Sequence, residues 1–123
     1  MPVHGAHSPF PFVFWSQPAS GNEPVREWLL SLDKDNRREM GFAMSTVQIG
    51  WPLGMPLCRP MGDGLHELRV SLAKGQREGR LLFCVQDETI VGLHAFFKTT
   101  RKAPKGELEL ATRRMKAMQP RPS

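Results

Sequence analysis

Three consecutive stretches between residues 65 and 98 alternate apolar and polar side chains with a period of two, and short runs of turn formers separate them. A β-strand points successive side chains to opposite faces, so each stretch reads as a strand with one buried side. In Leu65–Leu72, the residues Leu68, Val70 and Leu72 point one way and Glu67, Arg69 and Ser71 the other. In residues 80–86, Leu81, Phe83 and Val85 share a face, opposite Arg80, Leu82, Cys84 and Gln86. In Thr89–Lys98, Val91, Leu93, Ala95 and Phe97 are expected together, opposite Ile90, Gly92, His94, Phe96 and Lys98. The glycine- and charge-rich residues 74–79 and the pair Asp87 and Glu88 are expected hairpin loops, which makes the run antiparallel.

Upstream, residues 10–17 are aromatic and β-branched enough for a strand, followed by a turn at Pro18, Ser20, Gly21 and Asn22. Asn22 is placed to cap a helix entered through Pro24, in which Val25, Trp28, Leu29 and Leu32 form a helical stripe. Asp35 is expected to open a second helix, with Met40, Met44 and Val47 inward and Arg37, Arg38 and Glu39 toward water. Gly50, Pro52, Gly54, Pro56 and Pro60 forbid its continuation and predict an extended connection to the turn at Gly62, Asp63 and Gly64. Pro104 suits the first turn of a last helix whose inner side carries Leu108, Ala111, Met115 and Met118. The sum is an α+β chain: an N-terminal strand and helical hairpin packed on an antiparallel sheet, then a C-terminal helix. With 123 residues there is room for one core, assigned to residues 10–119, with residues 1–9 a loose extension and 120–123 a fraying tail.

A composition of 40% hydrophobic and 24% charged residues excludes disordered and fibrous classes. The formal net charge of +5 favours polyanionic partners, because phosphate contacts release counterions. Cys58 and Cys84, with no secretory segment before them, read as small buried apolar residues in a reducing, cytoplasmic setting. The apolar run at residues 10–15 is too short to cross a bilayer, so no membrane partner is expected. His4 and His7 lack the cysteine or carboxylate company of a metal site, and no metal is assigned. Phosphate-cradling loops, dinucleotide fingerprints, HExxH and Cys-x-x-Cys are all missing from the sequence, so no cofactor is assigned either.

Alternation lets Arg69, Arg80, His94 and Lys98 share the sheet face that the helical hairpin leaves open. Guanidinium forks match phosphoryl oxygens, and a lysine crowded by arginines gives up its proton more readily. Such a set can cut RNA without a metal. One base takes the 2′-hydroxyl proton, cations stabilise the phosphorane, and an acid protonates the leaving 5′-oxygen. Arg101, Lys102 and Lys105 would extend the cationic surface along the RNA backbone. The bland reading is solvated strand residues and a hydrogen-bonded structural histidine. Phe83, Phe97, Trp15, Trp28 and Trp51 read as core rather than stacking platforms, and Asp63, Glu67, Asp87 and Glu88 as turn and solubility residues.

From Pro24 onward the order of motifs resembles the HigB-like, phage-derived Gp49-like toxins of the RelE/ParE toxin–antitoxin superfamily. The helix exit Val47-Gln-Ile-Gly-Trp-Pro-Leu-Gly-Met-Pro-Leu57 and the strand motif Gly62-Asp-Gly-Leu-His-Glu-Leu-Arg69 are similar to that family's, as is Arg80-Leu-Leu-Phe83. So are Leu93-His-Ala-Phe-Phe-Lys98, Lys102-Ala-Pro104 and Glu107-Leu-Glu-Leu-Ala111-Thr-Arg-Arg114. The resemblance implies a RelE/ParE-like fold and a toxin that acts as a ribosome-dependent mRNA endoribonuclease, an mRNA interferase inhibiting translation. It further implies a cognate helix-turn-helix antitoxin, mRNA and the ribosome as partners, with operator DNA reached only through the antitoxin complex. Arg69 and Arg80 match the family's strand arginines, His94 and Lys98 positions at the end of its last strand, and Lys102 a lysine before its final helix; Arg69, Arg80, His94 and Lys98 are the expected catalytic set. Departures stand at Ala95, where glycine is usual, at Thr99, where a second lysine follows, at Glu78 and Gly79, and at His66, where relatives carry tryptophan. His66 can add an acid or base at the RNA, although its direction along the strand matches Leu68. Two other readings stay open: a ParE-like poison of a protein target such as DNA gyrase, and a decayed toxin acting only in an antitoxin–DNA complex.

Overall fold

The computed structural model describes residues 8–99 and 104–118. In chain order these form β1 (Phe12–Phe14), α1 (Pro24–Ser31), α2 (Lys34–Gly50), β2 (Cys58–Gly62), β3 (Leu65–Leu72), β4 (Arg77–Gln86), β5 (Thr89–Lys98) and α3 (Lys105–Met118). The strands make a single sheet in the order β1-β5-β4-β3-β2. Its four C-terminal strands pair antiparallel, but β1 runs parallel to β5, so the sheet is mixed rather than antiparallel.

Local chemistry explains where the elements start and stop. Glu23, not Asn22, is the N-cap of α1, without a side-chain bond, and Pro24 fills the first turn, where its missing N–H costs nothing. Asp33 caps α2 by accepting from the Asn36 amide at 3.0 Å, so this helix begins before Asp35. Arg37 then reaches back to the Leu30 and Leu32 carbonyls and closes the end of α1. The expected connection around Pro60 contains a strand. As the edge strand, β2 loses nothing by a residue without an N–H, and the two-residue turn Asp63-Gly64, both at positive φ, returns the chain into β3. Asp87 and Glu88, also at positive φ, join β4 to β5 in the same way. Between β3 and β4 the loop is shorter than residues 74–79. A turn at Ala73–Gly75, held by Asn36 accepting from the Ala73 amide at 3.0 Å, lets β4 start at Arg77.

Two apolar layers lie on opposite faces of the sheet. The hairpin face packs Val25, Met40, Ala43, Met44 and Val47 against Leu68, Val70, Leu72, Leu81, Phe83, Ile90 and Ala95. Gly79 belongs to this layer for a steric reason. An added Cβ would lie 2.9 Å from Leu72 Cδ1 and 3.1 Å from Met40 Sδ. The other face packs Ala111 and Met115 of α3 on Leu65, Leu82, Cys84, Val91, Leu93 and Phe96. Cys58 and Cys84 are free and buried, one on each face, and burial pushes the Cys58 thiol up to about 11 and Cys84 in the same direction.

The strand that departs from simple alternation is β5. Leu82 pairs with His94 but Phe83 with Gly92, leaving Leu93 as the extra residue of a β-bulge. Val91 and Leu93 therefore face α3 while Ala95 and Phe97 face the hairpin, against the expectation that all four share one side. The bulge carbonyl of Leu93 is satisfied by Arg114 of α3 at 2.7 Å. Among the described residues no helix is long and apolar enough to cross a membrane.

Candidate functional site

Strand register fixes which side chains meet on the face beneath α3. Across the sheet run three rows: Arg59, Glu67, Leu82 and His94; Arg69, Arg80 and Phe96; Ser71, Glu78 and Lys98. The register thus brings Arg69, Arg80, His94 and Lys98 onto one face. It does so in company that was not anticipated. Arg59, Arg69, Arg80 and Lys98 are interleaved with the carboxylates of Glu67, Glu78 and, from α3, Glu107.

Arg80 is not an open phosphate contact. Its side chain is 4% exposed, its Nη1 donates to Gly79 O at 3.0 Å and Glu78 Oε1 at 3.2 Å, and its Nε lies 3.8 Å from Glu67 Oε2. That Nε is buried without a hydrogen-bond partner among the described residues. A guanidinium taken out of water costs several kcal/mol unless opposite charge surrounds it, and Glu67 and Glu78 supply that charge. Glu67 is correspondingly no turn residue. It sits 5% exposed in mid-strand, with Arg69 Nε at 3.7 Å from its other oxygen. Arg69 itself remains 30% exposed and lines a cleft of about 360 Å³ with Pro56, Leu57, Ser71 and Glu78.

His94 is 16% exposed and its Nε2 lies 2.7 Å from Glu107 Oε1 on the first turn of α3. Its ring stacks on Phe96 at 5.5 Å between centroids. Lys98 is half-buried and faces Glu78 across the strand pair, so its nearest cross-strand neighbour is a carboxylate rather than the expected crowd of arginines.

The remaining basic candidates separate from this cluster. Lys105 is exposed at the start of α3, with Glu109 at 4.0 Å. Arg101 and Lys102, like His4 and His7, lie outside the described residues. His66 lies on the opposite face of the sheet. It stacks on Phe83 at 5.5 Å and meets Trp51 edge-on at 4.7 Å, and burial pushes its pKa down. This corrects its grouping with the RNA-binding residues. The side chain packs on the hairpin side of the sheet, in keeping with its sharing a direction with Leu68.

Sequence reasoning missed Arg59, Glu67, Glu78 and Glu107. The period-two pattern that grouped Arg69 with Arg80 placed Glu67 and Glu78 on the same side, so both were legible. Arg59 was hidden because β2 carries Pro60, and Glu107 because only the docking of α3 brings it to His94.

The fold and this face define a small α+β protein whose sheet presents paired arginines, a carboxylate-bound histidine and a lysine under a C-terminal helix. The chain belongs to the phage-derived Gp49-like protein family (DUF891), whose model matches residues 27–116, from within α1 into α3. This is the HigB-like, RelE-type toxin family to which the motifs pointed. No curated protein matches the chain.

Proposed function

We propose that this protein is the toxin of a toxin–antitoxin pair, with a RelE/ParE-like fold, and that it inhibits translation in the cytoplasm as a ribosome-dependent mRNA endoribonuclease needing no metal. The observation that carries the reading is the single sheet face that the partly open Arg69, Lys98 and His94 share with the buried Arg80 and Glu67 and the part-exposed Glu78. Family membership supports the toxin role, and with it an antitoxin partner.

In this reading Arg59 and Arg69 hold the phosphate, through donors that strengthen as charge builds on the phosphorane. His94 takes the proton from the 2′-hydroxyl as that oxygen bonds to phosphorus. The bond from phosphorus to the 5′-oxygen breaks, and the Lys98 ammonium donates a proton to the departing oxygen. The products are a 2′,3′-cyclic phosphate and a 5′-hydroxyl, and solvent exchange restores both side chains. Arg80 acts from beneath the surface by fixing Glu67 and Glu78, and through them the approach of Arg69 and Lys98. Arg101, Lys102 and Lys105 extend the contact to mRNA or to the ribosome, and operator DNA is reached only with the helix-turn-helix antitoxin.

Primer extension on mRNA from a translating extract tests this. Purified protein should create new stops, and Arg69→Ala or Lys98→Ala should reduce them about 100-fold, the range of a single acid–base or charge-stabilising group. Unchanged mRNA, whether with inhibited gyrase supercoiling or with antitoxin–DNA binding alone, would overturn the nuclease.

A further inference from the structure

We propose that Glu107 is a positioning residue that fixes the tautomer of His94, so that the ring nitrogen acting on the 2′-hydroxyl is Nδ1; this rests on the nuclease reading given above.

The contact is a 2.7 Å hydrogen bond between His94 Nε2 and Glu107 Oε1. A carboxylate only accepts, and a neutral imidazole carries one N–H. The shared proton therefore sits on Nε2, and the lone pair is left on Nδ1. Nδ1 has no hydrogen-bond partner among the described residues. The ring cannot easily turn to exchange the two nitrogens. One side of it stacks on Phe96 with planes 23° apart, and its cross-strand neighbour is the fully buried Leu82. When Nδ1 takes the proton of the attacking hydroxyl, Nε2–H stays bonded to the carboxylate, whose charge stabilises the imidazolium formed in that step.

The bulge at Leu93 gives the dyad its geometry. Without the extra residue, His94 would follow the phase of Ile90 and Gly92, which face the hairpin layer. Arg114 donates to the Leu93 carbonyl at 2.7 Å, which anchors α3 and hence Glu107 one residue away from the histidine. Ala111 and Met115 bury the same helix independently. Removing the Glu107 carboxylate should therefore leave α3 docked.

The test combines a spectroscopic readout with a kinetic one on the full chain. In ¹⁵N-histidine-labelled protein, two-bond nitrogen–proton correlations report which ring nitrogen carries the proton, and His94→Gln assigns the His94 signals among the four histidines. Wild type should show the Nε2–H form, and Glu107→Ala should show both tautomers with an unchanged thermal transition. Cleavage by Glu107→Ala should fall about 10- to 100-fold, the usual cost of losing an orienting partner. The fall should be smaller than that of His94→Gln, and the double variant should be no worse than His94→Gln alone, because the two side chains act as a unit. Three results would overturn the assignment: the proton on Nδ1 in wild type, the same tautomer in Glu107→Ala, or full cleavage by that variant. The tautomer is read without RNA. An Nε2–H form in a wild-type protein that cuts nothing would sink the nuclease and leave the dyad as a structural tie.

Discussion

The two faces of this sheet are built from the same strands, yet they solve different problems. Toward the hairpin, every inward position of β3 and β4 from Leu68 to Leu72 and at Leu81 and Phe83 is apolar or glycine, and the helices close over them. Toward α3, apolar residues crowd one end, with Leu65, Leu82, Cys84 and Val91. The other end holds Arg69, Arg80, Glu67, Glu78 and Lys98. A single helix covers that face only in part. Burial on the first face follows from area removed from water. On the second it depends on each charge finding its opposite, and a buried ion set contributes geometry more than stability. The difference teaches that a chain can place a close-packed apolar layer directly behind a charged one, so that the same strands that bury one face set the spacing of the charges on the other.

Substitutions on the two sides break this comparison in graded ways. Phe83→Ala should have the largest effect, about 4 kcal/mol lost in denaturant unfolding. Phe83 is fully buried, with Phe12, Trp51 and His66 packed around it, and the cavity cannot collapse easily. Glu67→Ala should cost about 3 kcal/mol by the same measurement, because it leaves Arg80 buried beside one carboxylate instead of two. The double change Glu67→Leu with Arg80→Met should recover most of that stability while abolishing cleavage. If the double variant were as unstable as the single one, the contrast between the two faces would fail. The smallest effect is a pH dependence on the apolar side. Burial lowers the His66 pKa in the folded protein, so the unfolded chain binds the proton more readily. Stability is full above the ordinary histidine value of about 6.5 and is lost as pH falls through it toward the folded value. His66→Phe keeps the stack on Phe83 and should flatten the thermal midpoint against pH below the ordinary histidine value of about 6.5. An unchanged slope would show that the titration belongs elsewhere.

Much of this was legible because β-sheet alternation is a local rule. It assigned Arg69 and Arg80 to one side and Leu68, Val70, Leu81 and Phe83 to the other, and the helical stripes at Val25 and at Met40, Met44 and Val47 were equally plain. The parts that were not legible share one cause: they depend on neighbours distant in sequence. Residues 10–17 contribute only Phe12–Phe14 to the sheet, because Phe10 bonds instead to Gln48 of α2 through both its amide and its carbonyl. Pro60 argued against a strand until β2 proved to be an edge. Arg80 looked exposed because alternation tells which face a side chain takes and nothing about what lies on top of that face.

By itself, the sequence determined four of the five strands, the helices, the basic character of one sheet face and, through its collinear motifs, the family. Local sterics, caps and side-chain period act over a few residues and survive without a partner. Tertiary structure alone decided that the basic face is threaded with carboxylates, that Arg80 is buried while Arg69 stays open, and that His94 meets Glu107. Those outcomes depend on register, on one extra residue at Leu93, and on where α3 docks, and each is settled by packing between segments that no local rule connects.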